Sequence, residues 1–322
     1  MTNKKFKLAA MSLATAVAVS AVGPSASAVT YQLENGDVTV AENENGAFSY
    51  QGEDKDENRT YVDKDTEDNG QIIIKQTEGT TTDNTVTVEE NVTNKKGKRD
   101  VDIILDGVNV DTSTQTDTPT EVPADTKEDK TIIKVGEGAD VDLTVKDSNL
   151  TTGGHGIDIG VNLEGKDENK GANVDLTLDH TEINLTQNGK AGINVQDNSD
   201  VDLTLKGENV IDGSKAIENE KENILKNNVN VEGIRVGGEG ASDSSDASEG
   251  ANTKLTISGG VEKTETAETD TEETESSAGG SLTISDTTGG LVMADGSDVE
   301  ITDGANVTIE ETKTSGSTPV SY

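Results

Sequence analysis

The sequence contains no cysteine and no tryptophan, and aromatic residues make up only 2% of it. Without cysteine, the chain cannot form disulfide bonds, zinc-thiolate sites or a cysteine nucleophile. Hydrophobic residues make up 30% of the chain, which is low for a protein with a large globular core. This composition favours a thin, repetitive fold, in which each repeat buries a few aliphatic side chains against its neighbours.

Basic residues are also scarce. The chain has 26 lysine and arginine residues against 63 aspartate and glutamate residues, and its formal net charge is −37. Because a polyanion repels nucleic acid phosphates and anionic lipid headgroups, we exclude nucleic acid as a partner. A strongly negative surface favours solubility and attracts divalent cations such as calcium.

Long hydrophobic runs are absent except near the start, where Leu8–Val22 is apolar. Three lysines precede this run and the small residues Ala26–Ala28 follow it, which is the order of a secretory signal peptide. The run is shorter than the ~20 apolar residues that a transmembrane helix needs. We therefore predict that residues 1–28 are a signal peptide, that the protein is secreted or held at the cell surface, and that no segment inserts into the membrane.

A ten-residue unit recurs four times with its residues in register. In every copy positions one, three and five are aliphatic and position two is aspartate, and position four is threonine in all copies but the first. This alternation is typical of a β-strand with one buried face. The copies are VDIILDGVNV from Val101, VDLTVKDSNL from Val141, VDLTLDHTEI from Val174 and VDLTLKGENV from Val201.

Each copy continues through a turn into a shorter aliphatic step, and a third strand motif lies between copies. The aliphatic steps are Val110, Leu150, Ile183 and Val210; the motifs begin at Gly156, Gly192 and Gly233, with Thr131–Val135 as a variant. Three strands and their turns form one coil, and the unequal spacing of the copies indicates loops of variable length. The predicted fold class is therefore all-β, a right-handed parallel β-helix of the pectate-lyase-like kind with irregular coil lengths.

The repeat pattern also predicts the domain boundaries. We expect the parallel β-helix over residues 71–310, interrupted by an acidic insertion at 261–280 that has too few apolar residues to be buried. Residues 29–70 are mostly polar and acidic, and they are predicted to form an N-terminal arm that is either disordered or a weak cap. Residues 311–322 are predicted to be a tail.

Several stretches resemble a class of secreted right-handed β-helix repeat proteins from Gram-positive bacteria. They are TTTDNTVTVEENV, DIILDGVNV, AGINVQDNSDVDLTLKGENVI and EGIRVGGEGA. The resemblance implies the same fold and an adhesin-like or carbohydrate-binding protein, and it carries over no catalytic residue. It also implies a stack of asparagines at position nine of the unit, where Asn109, Asn149 and Asn209 lie and where the third copy has Glu182. The alternative is that asparagine there only tolerates the backbone geometry of a turn.

The aspartates at position two are the candidate metal ligands: Asp102, Asp142, Asp175 and Asp202. Stacking in register would place their carboxylates in a column with a spacing of ~4.8 Å, where they repel one another unless cations lie between them. Calcium, which binds to carboxylate and carbonyl oxygens, is the candidate ion. The alternative is that each carboxylate is solvated independently.

The remaining residue types argue against catalysis. The two histidines, His155 and His180, are interpreted as turn residues. Acidic pairs are abundant and arginine occurs only at Arg59, Arg99 and Arg235, so neither points to a specific acid and base. We therefore expect a non-catalytic scaffold, adhesin-like, that presents an extended acidic face to glycans or surface proteins. The sequence does not define an oligomeric state.

Two alternative functions remain open, a carbohydrate-binding module and a polysaccharide lyase or hydrolase. Sugar rings stack on exposed aromatic side chains, and the aromatic residues after the predicted signal peptide all lie outside the repeats. They are Tyr31, Phe48, Tyr50, Tyr61 and Tyr322. Loss of glycan binding on substitution of Tyr50 or Tyr61 would favour the binding module.

Overall fold

The computed structural model describes eleven ranges of the chain. They are residues 28–44, 46–52, 59–61, 71–93, 101–113, 130–163, 170–219, 230–237, 252–260, 279–302 and 304–311. Nearly all of the predicted signal peptide, most of the acidic insertion and residues 312–322 of the predicted tail lie outside the described residues. No helix within these ranges has the length and apolar character needed to cross a membrane.

The described strands form three sheets, which we call sheets A, B and C. Sheet A has the order β1 (Val29–Gln32), β5 (Ile72–Lys75), β7 (Val101–Asp106), β10 (Asp140–Lys146), β13 (Asn173–Asp179), β16 (Asp200–Lys206), β19 (Lys254–Gly259) and β22 (Asp298–Thr302). Sheet C has the order β23 (Asn306–Glu311), β20 (Ser281–Thr287), β17 (Glu208–Asp212), β14 (Glu182–Leu185), β11 (Asn149–Thr152) and β8 (Asn109–Asp111).

Sheet B has the order β21 (Gly289–Met293), β18 (Val231–Val236), β15 (Lys190–Val195), β12 (Ile157–Val161), β9 (Ile133–Gly136), β6 (Val86–Val88), β2 (Val38–Asn43), β3 (Gly46–Gln51) and β4 (Thr60–Tyr61). All neighbouring strands are parallel except the β2–β3 and β3–β4 pairs. A short 3-10 helix (Leu33–Asn35) and helix α1 (Ser214–Asn219) complete the described elements.

Successive strands of the chain visit the sheets in a fixed order. Strands β10, β11 and β12 lie in sheets A, C and B, and β13 to β15 and β16 to β18 repeat this order one coil further on. Each strand pairs in parallel with its equivalent in the next coil. The predicted all-β fold, a parallel β-helix, is therefore confirmed. The right-handed winding stays a prediction, in line with the usual hand of parallel crossovers.

The aliphatic side chains of the ten-residue units form one continuous core. Leu143, Leu176 and Leu203 are register partners in sheet A, and each is at most 1% exposed. Outward side chains alternate with them along each strand, as the two-residue period requires. The core that the sequence predicts from these leucines is therefore present.

The turn after each strand of sheet A depends on one residue with a positive φ angle. This residue is Gly107 (φ 68°), Asp147 (φ 49°), His180 (φ 50°) or Gly207 (φ 58°) in successive coils. Glycine adopts this conformation without a steric penalty, and aspartate and histidine adopt it more readily than most residues. The interpretation of His180 as a turn residue is confirmed.

The turn in the fourth copy differs from the prediction. Glu182 pairs with Val210, and Ile183 pairs with Ile211, so Ile211 rather than Val210 takes the inner position in sheet C. The fourth copy has one additional residue in this corner, and the side chain of Asn209 fills the space at 1% exposure. The prediction that Val210 points inward is wrong because the extra residue shifts the strand by one position, which exchanges its two faces.

Residues before the repeats extend the sheets toward the N-terminus. Strand β1 pairs with β5 in sheet A, and β2 pairs with β6 in sheet B, so the parallel pairing begins at Val29 and not at the predicted residue 71. Leu33 and Val38 are fully buried in the main core. The described part of the predicted arm thus contributes strands to sheets A and B at the first coil.

Candidate functional site

The outer face of sheet A brings the four predicted aspartates into one column. Asp142 is the register partner of Asp102 on one side and of Asp175 on the other, and Asp175 pairs with Asp202. At one end, Nε2 of Gln71 donates a hydrogen bond to Oδ2 of Asp102 at 2.7 Å. Stacking of the position-two aspartates therefore agrees with the sequence.

A second polar row lies beside this column at the start of the same strands. It contains Asp140, Asn173 and Asp200, followed by Lys254. Nδ2 of Asn173 donates to Oδ1 of Asp140 at 2.8 Å, and Nζ of Lys254 lies 3.6 Å from Oδ1 of Asp200. An amide and a lysine thus moderate the negative charge of this row.

The two rows concentrate negative charge around Asp175. Desolvation raises the pKa of its carboxyl group above the usual value, and the carboxylates of Asp202, Asp140 and Asp200 raise it further by repulsion. A positive ion close to Asp175 would relieve this repulsion. The charge distribution is therefore suited to attract cations along the face.

The column does not form a ready-made metal centre. Among the residues that the structure describes, no group of three or more histidine, cysteine, aspartate or glutamate side chains converges to hold a metal ion. In-register stacking distributes the carboxylates along the sheet at the spacing of the strands, whereas a calcium ion needs several oxygens around one point. The role of Asp102, Asp142, Asp175 and Asp202 as calcium ligands stays a prediction.

A ladder of alternating charge lies on the same outer face of sheet A, at the end of its strands. Lys75, Asp106, Lys146, Asp179 and Lys206 are successive register partners. Oδ2 of Asp106 lies 3.1 Å from Nζ of Lys75 and 3.3 Å from Nζ of Lys146. Desolvation by itself would raise the pKa of Asp106, but the two lysines outweigh it and lower the pKa below its usual value. This ladder ties three coils together.

Hydroxyl groups form the row between the aspartate column and the charged ladder. Thr144, Thr177 and Thr204 are register partners, and Ser258 and Thr302 continue the row. The face therefore offers parallel rows of carboxylates, hydroxyls and alternating charges that run along the solenoid axis. Such a surface can donate and accept hydrogen bonds along an extended ligand.

The predicted asparagine stack forms only in part. Asn109, Asn149 and Glu182 are register partners, but the shifted fourth copy places Asn209 outside that row. The buried amide of Asn209 joins neighbouring coils: Oδ1 accepts the backbone N–H of Thr181 at 2.9 Å, and Nδ2 donates to the carbonyl of Ser281 at 3.1 Å. The side chain of Asn209 therefore has a structural role between the coils.

His155 is more deeply placed than its turn-like sequence suggests. His155 is only 5% exposed, and its Nδ1 accepts a hydrogen bond from the backbone N–H of Ala191 at 3.0 Å. Its own backbone N–H donates to Oγ1 of Thr131 at 3.2 Å. His155 thus connects three coils through hydrogen bonds, which is a structural role.

Polar side chains on the outer face of sheet B form a buried network. Oδ1 of Asp158 accepts hydrogen bonds from Nδ2 of Asn194 at 2.8 Å and from Nε2 of Gln196 at 2.9 Å, and Arg235 forms an ion pair with Glu232. Asp158 thus accepts two hydrogen bonds from neutral amides, and Glu232 has a charged partner. We interpret the network as structural support for the sheet.

An aromatic cluster lies on the antiparallel strands β3 and β4, away from the ten-residue units. The rings of Phe48 and Tyr50 are 6.2 Å apart and those of Phe48 and Tyr61 are 5.6 Å apart, measured between centroids. The guanidinium of Arg59 lies 4.9 Å from the Phe48 centroid. Tyr61 is 43% exposed, whereas Phe48 and Tyr50 are buried. Tyr61 therefore presents ring surface to a ligand, and Tyr50 does not.

Comparison of the chain with protein-family models, with curated proteins and with solved structures finds no match. The fold itself defines the class, a parallel β-helix. The resemblance to secreted Gram-positive β-helix repeat proteins stays a prediction.

Proposed function

We propose that this protein is a non-catalytic, exported surface protein, an adhesin-like scaffold that presents the outer face of sheet A to glycans or surface proteins. The observation that supports the proposal is the alignment of like side chains along that face, with Thr144, Thr177 and Thr204 between the aspartate column and the charged ladder. A ligand with a repeating structure can make the same contacts at each coil.

Export is supported by the order of charges, apolar residues and small residues in residues 1–28. A rigid solenoid suits a surface role because its stacked coils keep their spacing over many repeats. Calcium ions drawn to the aspartate column would lower the repulsion between this face and other acidic surfaces. Calcium therefore belongs to the proposal as an accessory ion.

A substitution on the contact face tests the proposal. The chain without residues 1–28 would be offered to immobilised neutral glycans, acidic glycans and extracellular proteins, and binding would be measured by biolayer interferometry. Thr177→Arg places a long side chain in the middle of the face, and we expect it to weaken binding at least tenfold. Thr283→Arg makes the same change on the outer row of sheet C and serves as the control.

Two results would contradict the proposal. One is equal binding by the parent chain, Thr177→Arg and Thr283→Arg, because the contact would then lie elsewhere. The other is release of reducing ends or unsaturated products from any glycan in the panel, since this would indicate a polysaccharide hydrolase or lyase.

A carbohydrate-binding module is the second candidate, and the exposure of Tyr61 favours it. A tyrosine ring can bury the C–H surface of a sugar, and Oη of Tyr61 accepts a hydrogen bond from Nδ2 of Asn43 at 3.1 Å, which orients the ring. Under this function, Tyr61→Ala would abolish glycan binding with or without a calcium chelator. The control Tyr50→Phe keeps the buried ring and would bind like the parent.

A further inference from the structure

A polar cavity lies beside helix α1, outside the face of sheet A. Its volume is about 270 Å³, and it is lined by Ser113, Thr186, Gln187, Lys215 and Glu218. Ser113 follows β8, Thr186 and Gln187 follow β14, and Lys215 and Glu218 belong to α1, which follows β17. Three different coils therefore contribute to the lining where the chain leaves sheet C.

Hydrogen bonds between coils hold the floor of the cavity in place. The backbone N–H and Oγ1 of Thr186 both donate to the carbonyl oxygen of Thr152, at 2.9 and 2.8 Å, and Oγ1 of Thr112 donates to Oγ1 of Thr152 at 3.2 Å. Glycine at position 153 leaves room for the side chain of Gln187, since a Cβ there would lie 2.7 Å from its Nε2. The absence of a side chain at position 153 therefore lets Gln187 lie at the cavity.

Helix α1 is fixed against the same corner. The Oδ1 of Asp212 accepts the backbone N–H of Ser214 at 2.9 Å, and its Oδ2 accepts the hydroxyl of Ser214 at 2.8 Å. Ala216 is fully buried in the main core. Because the start of the helix and its buried side are both anchored, the backbone of α1 holds Lys215 and Glu218 beside the cavity.

The lining selects a small, uncharged, polar ligand. The ammonium of Lys215 and the amide of Gln187 form no hydrogen bond or ion pair with the described residues, so they are available as donors, and Gln187 also as an acceptor. Glu218 and Ser113 also line the cavity, and its one positive and one negative side chain balance each other. The net charge of −37 disfavours an anionic ligand. Hydroxyl groups, which both donate and accept, match this set.

The size of the cavity limits the ligand further. Small-molecule pockets usually measure about 300–1,000 Å³, so this one accommodates a single sugar ring and not a chain. We infer that the cavity binds one neutral sugar residue, the end of a glycan, through Lys215 and Gln187. This inference rests on the proposed function as a glycan-binding surface protein and adds a second site, separate from both sheet A and Tyr61.

The test uses the chain without residues 1–28 and free glucose, galactose, mannose and N-acetylglucosamine as probes, followed by saturation-transfer NMR and titration. We expect one or more sugars to bind, and Gln187→Ala/Lys215→Ala to weaken that binding at least tenfold. Gly153→Ala, which pushes a methyl group toward Gln187 without a change of charge, would weaken it as well. Lys254→Ala removes the same charge on sheet A and would leave it unchanged.

The possible failures are distinguishable. If a sugar binds the parent and the pocket variants equally, or if binding depends on Tyr61 instead, the inference about the cavity is wrong while glycan binding stands. If no sugar binds the parent but immobilised proteins do, the inference is wrong and the scaffold function stands with a protein partner. If neither binds, both are wrong. Free alanine, a zwitterion, is titrated as the comparison ligand, and its binding in preference to every sugar would overturn the ligand class.

Discussion

A Cβ atom on Gly192 would lie 2.5 Å from Cγ2 of Ile211, so the side chain of Ile211 fills the space that the glycine leaves open. The same arrangement recurs one coil earlier, where a Cβ on Gly156 would lie 2.6 Å from Cγ2 of Ile183. The glycines that begin the third strand motif are therefore packing residues. They allow sheet B to approach the isoleucines of sheet C inside the solenoid.

We expect Gly192→Ala to destabilise the protein by about 1–3 kcal/mol, because the added methyl group overpacks the core against Ile211. The free energy of unfolding would be measured by urea denaturation followed by circular dichroism. Gly153→Ala is the matched control, since the atoms nearest to its methyl group belong to the long side chain of Gln187 and not to a packed core residue. Equal stability of Gly192→Ala and Gly153→Ala would contradict this account of the packing.

Leu176→Ala would remove a fully buried side chain from the middle of the core column in sheet A. We expect a loss of about 2–5 kcal/mol in the free energy of unfolding, because the neighbouring leucines are held by their own coils and cannot collapse into the cavity. The adjacent Thr177→Ala points outward and would change stability by about 0.5 kcal/mol or less. A small effect of both substitutions would show that residue 176 does not lie in a continuous core.

Asp106→Asn would destabilise the folded protein at neutral pH. The two lysines lower the pKa of Asp106 in the folded state, so its contribution is present above the ordinary aspartate pKa and is lost as the pH falls through the lowered value. We expect a loss of at most about 1 kcal/mol at pH 7, because the ion pairs are partly exposed, and almost none near pH 2. Unfolding free energies at both pH values check this.

The partners of Asp106 provide the control for that measurement. In a chain that carries Lys75→Met and Lys146→Met, the pH dependence caused by Asp106→Asn should disappear, since no positive charge remains to lower the pKa. An unchanged pH dependence in that background would assign the effect to other groups.

We expect Asp175→Asn to have the opposite effect on the free energy of unfolding at neutral pH. Desolvation and the neighbouring carboxylates raise the folded-state pKa of Asp175, so the destabilisation is complete above that pKa and vanishes below the unfolded value of about 3.9. We expect the variant to be more stable than the parent at pH 7, by about 0.5 kcal/mol or less, and equal to it near pH 3. Thermal unfolding at low ionic strength is the measurement; a destabilised variant at pH 7 would contradict the repulsion.

Calcium should raise the melting temperature if it neutralises the aspartate column. At ten times its dissociation constant a ligand adds about 1.4 kcal/mol to the stability, whereas sodium chloride of equal ionic strength only screens the charges. We expect a larger rise with calcium, and a smaller rise in Asp142→Asn/Asp175→Asn. Identical effects of calcium and sodium chloride would remove calcium from the proposal.

Local patterns predict much of the fold because each strand carries its own information. Alternation in the unit from Val141 determines which side chains can be buried together, and the residue at position seven, such as Asp147 or Gly207, permits the sharp turn. The strands before residue 71 are harder to predict. Strand β1 is short, and its pairing with β5 depends on contacts 43 positions apart, such as Val29 with Ile72.

The candidate sites also differ in how far the sequence predicts them. The position-two aspartates, such as Asp142, could be placed in one column from the unit alone, since stacking units in register stacks their aspartates. The aromatic cluster has a sequence signal, because Phe48, Tyr50 and Tyr61 all lie before the repeats. The cavity has none, since Ser113 and Gln187 come from two different loops and Lys215 from helix α1.

The amino-acid sequence by itself determined the strands, their buried faces and the turn residues, because these depend on the alternation of neighbouring side chains and on backbone preferences within a few residues. The tertiary structure decided which coils lie side by side and which polar groups meet. The inward position of Ile211, the enclosure of His155 and the cavity beside α1 all depend on loop lengths and on packing between coils. Residues distant in the chain meet there only after the solenoid has formed.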